Sequence, residues 1–437
     1  MPRTGHRAQL GTQAVTGGSE RVVVVGASAA GLSAADGLRE AGFTGSITVL
    51  GAELHQPYDR PTMSKALLVA EEDPQLLELR SPERIEANRL DLRLGHAAAG
   101  LDVDRRYVVT TYGEALPWDA VVIACGSRPR ELRSLAGEVL PTLRTPEDLR
   151  VLREAAARYG EMTLIGSGFI GLEVAAALVA RGVAVTVLDA LPLPLEPVLG
   201  PELATHLRDL HTARGVRFRS AVAVASVTGQ PGAHEVRLTD GSVHRTPFVL
   251  TGIGAEPAVD WLAGSGIEVT DGIVTDAAGR TNVPGVWAAG DVAAFHHPLL
   301  GQRVRVEHWT HAVEQGRHIG LNIARGETTP YQVVPYFWTD QYGMRFQCYG
   351  RRRAGDRSLV VEGSLDAGEF LVLFGHAGEF HAAFACGRVR SLRDYRKLLA
   401  RGGTWDEALA LARTNNPALD TTVSCVNRKE CTTHEAA

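Results

Sequence analysis

Four consecutive valines, Val22 to Val25, follow Arg21 and run directly into Gly26-Ala-Ser28-Ala-Ala30-Gly31. An exposed strand would alternate apolar and polar positions, so this unbroken run predicts a strand buried on both faces. From Leu32 to Glu40 small and apolar residues recur at helical spacing, and Ile47 to Leu50 predicts a second strand. Strand, glycine turn, helix and strand within about 30 residues make a βαβ unit. The pattern returns later in the chain. Thr163, Leu164 and Ile165 precede Gly166-Ser-Gly168-Phe-Ile170-Gly171, a helix is predicted from Leu172 to about Ala180, and the strand Val183 to Leu188 ends in Asp189.

A glycine turn of this kind aims the N-terminus of a helix, with its free N–H groups, at a pyrophosphate. In the first unit the middle position is Ser28, whose hydroxyl stands where backbone usually approaches phosphate. In the second, Asp189 lies roughly 20 residues beyond the turn, where a carboxylate meets a ribose 2′-OH and repels a 2′-phosphate. The next residues, Ala190, Leu191 and Pro192, bring no arginine to welcome that phosphate. NADH is therefore expected in preference to NADPH. Two such units predict two dinucleotides facing each other, an arrangement suited to hydride transfer from a nicotinamide to a flavin. A third element, Gly285 to Asp291, places a short apolar strand before Gly290 and an Asp291 able to bond a sugar-chain hydroxyl.

Composition narrows the class. The chain has 437 residues, enough for two or three domains, and its net charge of −5 argues against a nucleic-acid partner. No apolar run approaches the roughly 18 residues of a membrane span. Residues 1–20 are polar and lack the apolar centre of a secretory signal, which reads as a disordered leader on a cytoplasmic protein. Lysine occurs only at Lys65, Lys397 and Lys429 in an arginine-rich chain. The five cysteines, Cys125, Cys348, Cys386, Cys425 and Cys431, are too scattered for a disulfide framework or an internal iron–sulfur cluster.

The segments QPYDRPTMSK (Gln56 to Lys65), VVIACGSRPR (Val121 to Arg130), LRTPED (Leu143 to Asp148), GSGFIGLEVA (Gly166 to Ala175), AAGDVA (Ala288 to Ala293), VEHWTHAVEQG (Val306 to Gly316) and PYFWTDQYG (Pro335 to Gly343) carry a further signal. Over residues 20 to 415 the chain resembles the ferredoxin reductases that serve aromatic-ring dioxygenases and bacterial cytochromes P450, within the glutathione-reductase-like flavoproteins. The resemblance implies an α/β fold of two Rossmann-like dinucleotide-binding domains and a C-terminal α+β domain. Its expected bounds are 21–140 with 266–329 for FAD, 141–265 for NADH and 330–415 for the C-terminal domain, with 416–437 a flexible tail. It implies that Gly26, Ser28, Ala30, Gly31, Arg60, Lys65, Ala98, Arg130, Arg144, Gly290, Asp291 and Trp309 serve FAD. Lys65 would stand at the flavin ring, with Phe337 and Trp338 packed nearby. Gly166, Gly168, Ile170, Gly171, Glu173, Asp189 and Gly254 would line the NADH site, Glu173 beside the nicotinamide. Lys65, Glu173 and Trp338 are the expected catalytic set.

Three positions depart from the family pattern. Ala52 stands where the family has an acid, so the following Glu53 is assigned the adenosine ribose; Cys125 replaces a threonine close to the cofactor; and His311 replaces an amide. Disulfide reductases of this fold need a cysteine at the flavin face, whereas this chain has Met63, Ser64 and Lys65 there and no cysteine before Cys125. Electrons are then expected to pass directly to a separate 2Fe–2S ferredoxin. Such ferredoxins are acidic, and Arg351, Arg352, Arg353, Arg357, Arg388, Arg390, Arg393 and Arg396 are candidates for a basic docking face. The alternatives are an oxidase or quinone or nitro reductase with a small-molecule acceptor, and a redox scaffold resembling apoptosis-inducing factor. His296, His297, His308, His311 and His318 are expected to hold no metal, and Cys425 and Cys431 to be incidental thiols.

Overall fold

The computed structural model describes residues 20–71 and 75–419; the leader and the cysteines of the tail lie outside these. The chain forms two compact units. The first gathers the chain up to Tyr58 with Glu78–Ser127 and Pro257–Gln332, and the second gathers Asp59–Leu77, Arg128–Glu256 and the chain from Val333 onward.

The first unit is built on a five-stranded parallel sheet in the order Val286–Ala288, Ala120–Ile123, Arg21–Val25, Ser46–Gly51, Leu90–Leu94. The valine run is its central strand. Val22 and Val24 enter the core on one face of the sheet and Val23 and Val25 the core on the other, so every residue of the run is buried. On the first face the helices Ala29–Glu40 and Trp309–Arg325 cross at backbone contact. A Cβ added at Gly37 would lie 2.3 Å from the Arg317 carbonyl oxygen, one at Gly316 2.2 Å from that of Ala30, and one at Gly320 2.1 Å from that of Ala34. Only glycine permits that approach.

The second unit has a four-stranded parallel sheet, ordered Arg217–Arg219, Ala184–Leu188, Glu161–Ile165, Val249–Thr251. Three antiparallel strands between Val224 and Thr246 flank it. The C-terminal part is a five-stranded antiparallel sheet, ordered Tyr336–Gln341, Met344–Gly350, Glu379–Cys386, Glu369–His376, Arg357–Ser364. One face meets Leu199, Leu203 and Leu207 of the helix Glu196–Thr212; the other is covered by the helices Val389–Ala400 and Trp405–Asn415. Both faces are buried, so the strands Glu369–His376 and Glu379–Cys386 are buried along nearly their whole length rather than alternating. The helix Trp405–Asn415 was not anticipated. Its signal is a capping box, in which Thr404 accepts from the Glu407 N–H and Glu407 accepts from the Thr404 N–H. Among the described residues no helix is long and apolar enough to cross a membrane.

Gly316→Ala is expected to cost about 1–3 kcal/mol, because the added methyl meets backbone that has nowhere to move. A lowered midpoint in thermal unfolding and weaker retention of FAD on dilution are the expected readings.

Candidate functional site

In the first unit the turn after the valine strand is fixed by contact. Gly26 has φ 121°, and its Cβ would sit 2.2 Å from the Ala124 carbonyl oxygen; a Cβ at Gly31 would sit 1.8 Å from that of Gly26. The helix Ala29–Glu40 follows at once with Ser28 as its N-cap. Serine at that place ordinarily caps its own helix, yet Ser28 makes no side-chain cap bond. Its hydroxyl and the first-turn N–H groups thus remain available to an outside anion. Ala30 is wedged between Gly290 and Gly316. Gly290 donates its N–H to the buried Gln315 Oε1 at 2.8 Å, and Ser127 Oγ donates to Asp291 Oδ2 at 3.4 Å. Trp309 opens its helix after His308, again without a side-chain cap. The glycine helix, the Gly290–Asp291 turn and the Gln315 helix therefore meet around Ala30. Ala98 begins the strand Ala98–Asp102, and Glu53 accepts the Tyr58 hydroxyl at 2.8 Å. A turn admitting only backbone, an uncapped helix end and an aspartate beside it fit FAD.

The other first-unit departures are structural in character. Cys125 Sγ donates to the Ala258 carbonyl oxygen at 3.1 Å, and burial pushes its pKa up to about 11. His311 is buried, stacked on Phe295 at 5.4 Å, and held neutral: burial first, then His308 and His297, push its pKa down to about 3. Among the described residues no cluster of histidine, cysteine and acids is arranged to hold a metal.

The second unit repeats the turn. Gly166 has φ 103° and a Cβ there would lie 2.3 Å from the Gly252 carbonyl oxygen, while one at Gly171 would lie 2.4 Å from that of Gly166. Gly168, the N-cap of the helix Phe169–Ala180, offers no side chain, and a Cβ there would find its nearest neighbour at 4.0 Å. Asp189 is held against this turn. Its Oδ2 accepts from the Ser167 N–H and hydroxyl, each at 2.5 Å, and its Oδ1 from the Leu191 N–H at 2.7 Å. Ile170, on the first helical turn, is 49% exposed and presents an apolar surface beside the open helix end. Gly254, with φ 99°, lies against the Arg130 side chain, and the Arg130 N–H donates to its carbonyl. Arg60 donates to the Arg144 carbonyl oxygen, and the Arg144 N–H donates to Asp148 at 2.7 Å.

On the same helix Glu173 is 5% exposed and accepts from three side chains. Oε2 takes Lys65 Nζ at 2.8 Å and the Ser64 hydroxyl at 2.5 Å, and Oε1 takes the Thr339 hydroxyl at 2.7 Å. Burying a carboxyl group costs free energy unless a countercharge and hydrogen bonds replace its water, and here both are present. The sequence pointed to Lys65 and Glu173 separately; the structure makes them one group. Ser64 and Thr339 were missed, since nothing local marks a hydroxyl whose partner lies over a hundred residues away. Trp338, the neighbour of Thr339, is partly buried with its ring 6.1 Å from that of Tyr336, whereas Phe337 turns into the core against Phe169 at 4.9 Å.

Residues 20–316 match the pyridine nucleotide-disulphide oxidoreductase family, and residues 336–418 match the family described as reductase C-terminal. The chain belongs to the pyridine nucleotide-disulphide oxidoreductases and is an enzyme that uses FAD and NAD(H). Within that family its likeness is to ferredoxin reductases. It is 34% identical to rhodocoxin reductase of Rhodococcus erythropolis, over 87% of this chain and 89% of that protein. It is 35% identical to the ferredoxin–NAD(+) reductase component of the anthranilate 1,2-dioxygenase system of Burkholderia cepacia, over 88% and 95%. The crystal structure of the covalent putidaredoxin reductase–putidaredoxin complex superposes with a TM-score of 0.83 at 30% identity, covering 92% of this chain and 100% of that one.

Cys125 is expected to resist alkylation. Below its raised pKa of about 11 the thiol stays protonated, so thiolate-dependent labelling at pH 8 should run on the order of 100-fold slower than for an ordinary exposed thiol. Peptide mapping after iodoacetamide treatment of the folded protein measures this.

Proposed function

We infer that the protein takes electrons from NADH and passes them through FAD to a small 2Fe–2S ferredoxin that serves a cytochrome P450 or a ring-hydroxylating oxygenase. The observation that carries the reading is the Lys65–Glu173 pair. It occupies the segment where disulfide reductases of this fold place a cysteine, and the sulfur of Cys125 is locked in its thiol form. Among the described residues, electrons leaving the flavin have no sulfur relay to pass through. FAD, when bound, supplies the conversion of a two-electron donor into two single-electron deliveries.

The chain's own residues then have distinct tasks. The open N-terminus at Gly168 receives the NADH pyrophosphate, and Asp189 accepts from the ribose hydroxyls while repelling a 2′-phosphate. Ile170 packs on the nucleotide, Glu173 flanks the nicotinamide, and Lys65 supplies positive charge where negative charge develops. Gly254 completes this set, with Gly26, Ser28, Ala30, Gly31, Glu53, Arg60, Ala98, Arg130, Arg144, Gly290, Asp291 and Trp309 holding FAD and Trp338 beside the flavin. A cytoplasmic setting suits the NADH requirement. Of the arginines proposed for docking, Arg353 pairs with Glu379 at 2.8 Å and Arg388 with Glu369 at 3.3 Å. Arg357 lies over Trp405 and Arg396 over Tyr349. Arg351, Arg390 and Arg393 are exposed and are the better candidates for meeting an acidic ferredoxin.

Stopped-flow reduction tests the donor. NADH should bleach the flavin rapidly and NADPH slowly, and Asp189→Asn should narrow that preference by roughly tenfold or more, since the charge facing a 2′-phosphate is removed. Adding a 2Fe–2S ferredoxin should then reoxidise the flavin quickly; reoxidation by quinone or oxygen alone would move the acceptor to a small molecule. Reversing Arg390 and Arg393 to Glu should slow the ferredoxin step by about tenfold at low salt, with a smaller effect at high salt, and leave the NADH step unchanged.

A further inference from the structure

Glu173 ends a hydrogen-bonded chain that the reaction described so far does not use. Its Oε1 accepts the Thr339 hydroxyl; Thr339 Oγ1 accepts the Gln341 amide at 3.1 Å; Gln341 Oε1 faces His211 Nε2 at 2.8 Å; and His211 Nδ1 faces the Tyr342 hydroxyl at 2.8 Å. Thr339, Gln341 and His211 are all buried to within 2% of complete. They come from the strand Tyr336–Gln341 and the helix Glu196–Thr212, so the chain exists only in the folded unit.

Every link in this chain has a direction. An amide oxygen has no proton to give, so His211 must carry its hydrogen on Nε2, and a neutral imidazole of that tautomer accepts at Nδ1 from Tyr342. Burial keeps His211 neutral, pushing its pKa down to about 4; Arg214 acts the same way and the Gln341 bond opposes it. Having received the Gln341 amide hydrogen, Thr339 is left to donate its own to Glu173. Moving the imidazole hydrogen to Nδ1 reverses the series. Gln341 must then turn its amide over, its oxygen takes the Thr339 hydroxyl, and Glu173 loses a donor.

Tyr342 occupies a position with a conformational cost. It has φ 54°, followed by Gly343 at φ 74°, in the two-residue turn that joins the strands Tyr336–Gln341 and Met344–Gly350. Such turns favour asparagine and glycine. A tyrosine held there points to a task for its side chain. The ring lies 4.9 Å from that of His211, and the Arg214 guanidinium lies 4.5 Å over it.

The geometry points to His211 and Tyr342 as positioning residues for reduction by NADH: Tyr342 fixes the His211 tautomer, and the polarised chain holds the Thr339 hydroxyl on Glu173, keeping that carboxyl group turned to Lys65. The assignment rests on NADH being the donor, and its first test does not. In holoprotein labelled with 15N-histidine, two-bond proton–nitrogen correlation spectra should show His211 with hydrogen on Nε2, and Tyr342→Phe should admit the other tautomer. A wild-type Nδ1–H signal would overturn the proposal.

The second test is the stopped-flow bleaching by NADH. Tyr342→Phe and His211→Leu should each lower the limiting rate by roughly 3–10-fold, with little change in the NADH concentration for half saturation. His211→Gln, which keeps an N–H near the place of Nε2, should recover most of the loss. In a Glu173→Gln background the same substitutions should change nothing further. Equal losses in both backgrounds would assign the two residues to stability alone and sink the idea. Failure of NADH to bleach the wild type would instead fall on the donor reading, with the tautomer measurement unaffected.

Discussion

A backbone carbonyl standing where a side chain would begin is the constraint on which both nucleotide sites depend. It is the Ala124 oxygen at Gly26 and the Gly252 oxygen at Gly166, at 2.2 and 2.3 Å from the absent Cβ. In each unit the carbonyl belongs to the end of a neighbouring parallel strand, so the glycine lets the chain pass over the sheet edge and start a helix immediately. The uncapped N–H groups of that helix follow from this approach. Without it the helix would begin farther from the sheet and its first turn would be free to recruit a cap. The open helix end is therefore a product of close packing rather than of any charged side chain.

The Lys65–Glu173 group obeys the opposite logic. Its charges are carried by side chains inside a low-dielectric interior, where a lone carboxylate would take up a proton. Two hydroxyls and an ammonium replace the lost water, and each donor comes from a different stretch of sequence. Such an arrangement adds little to stability relative to an apolar core. What it provides is a dipole of fixed direction at one place in the interior.

Much of this could be read in the chain, for reasons that differ by element. Val22 to Val25 and the two glycine turns were legible because their constraint is local: a strand buried on both faces must be continuously apolar, and a turn at contact distance must be glycine. The spacing puts Asp189 at the end of its strand, where the structure holds it against the glycine turn. The helix Trp405–Asn415 is marked in the sequence only by its Thr404-x-x-Glu407 box, because its apolar face is short. Thr339, Gln341 and His211 carry no local signature. A buried hydroxyl, amide and imidazole look like any others until the fold closes around them.

The crossing of the helices Ala29–Glu40 and Trp309–Arg325 also has a consequence in time. Their contact joins Ala30 to Gly316 and Gly37 to Arg317, backbone on backbone. During translation, at roughly 5–20 residues per second, the first helix therefore waits on the order of 10–60 s for its partner. The segment Arg128–Glu256, with its own parallel sheet, is complete well before then. A nascent chain thus holds a finished sheet in the second unit while the first still exposes the apolar flank of an unpaired helix. The helix pair of the first unit closes only when residue 320 has left the ribosome.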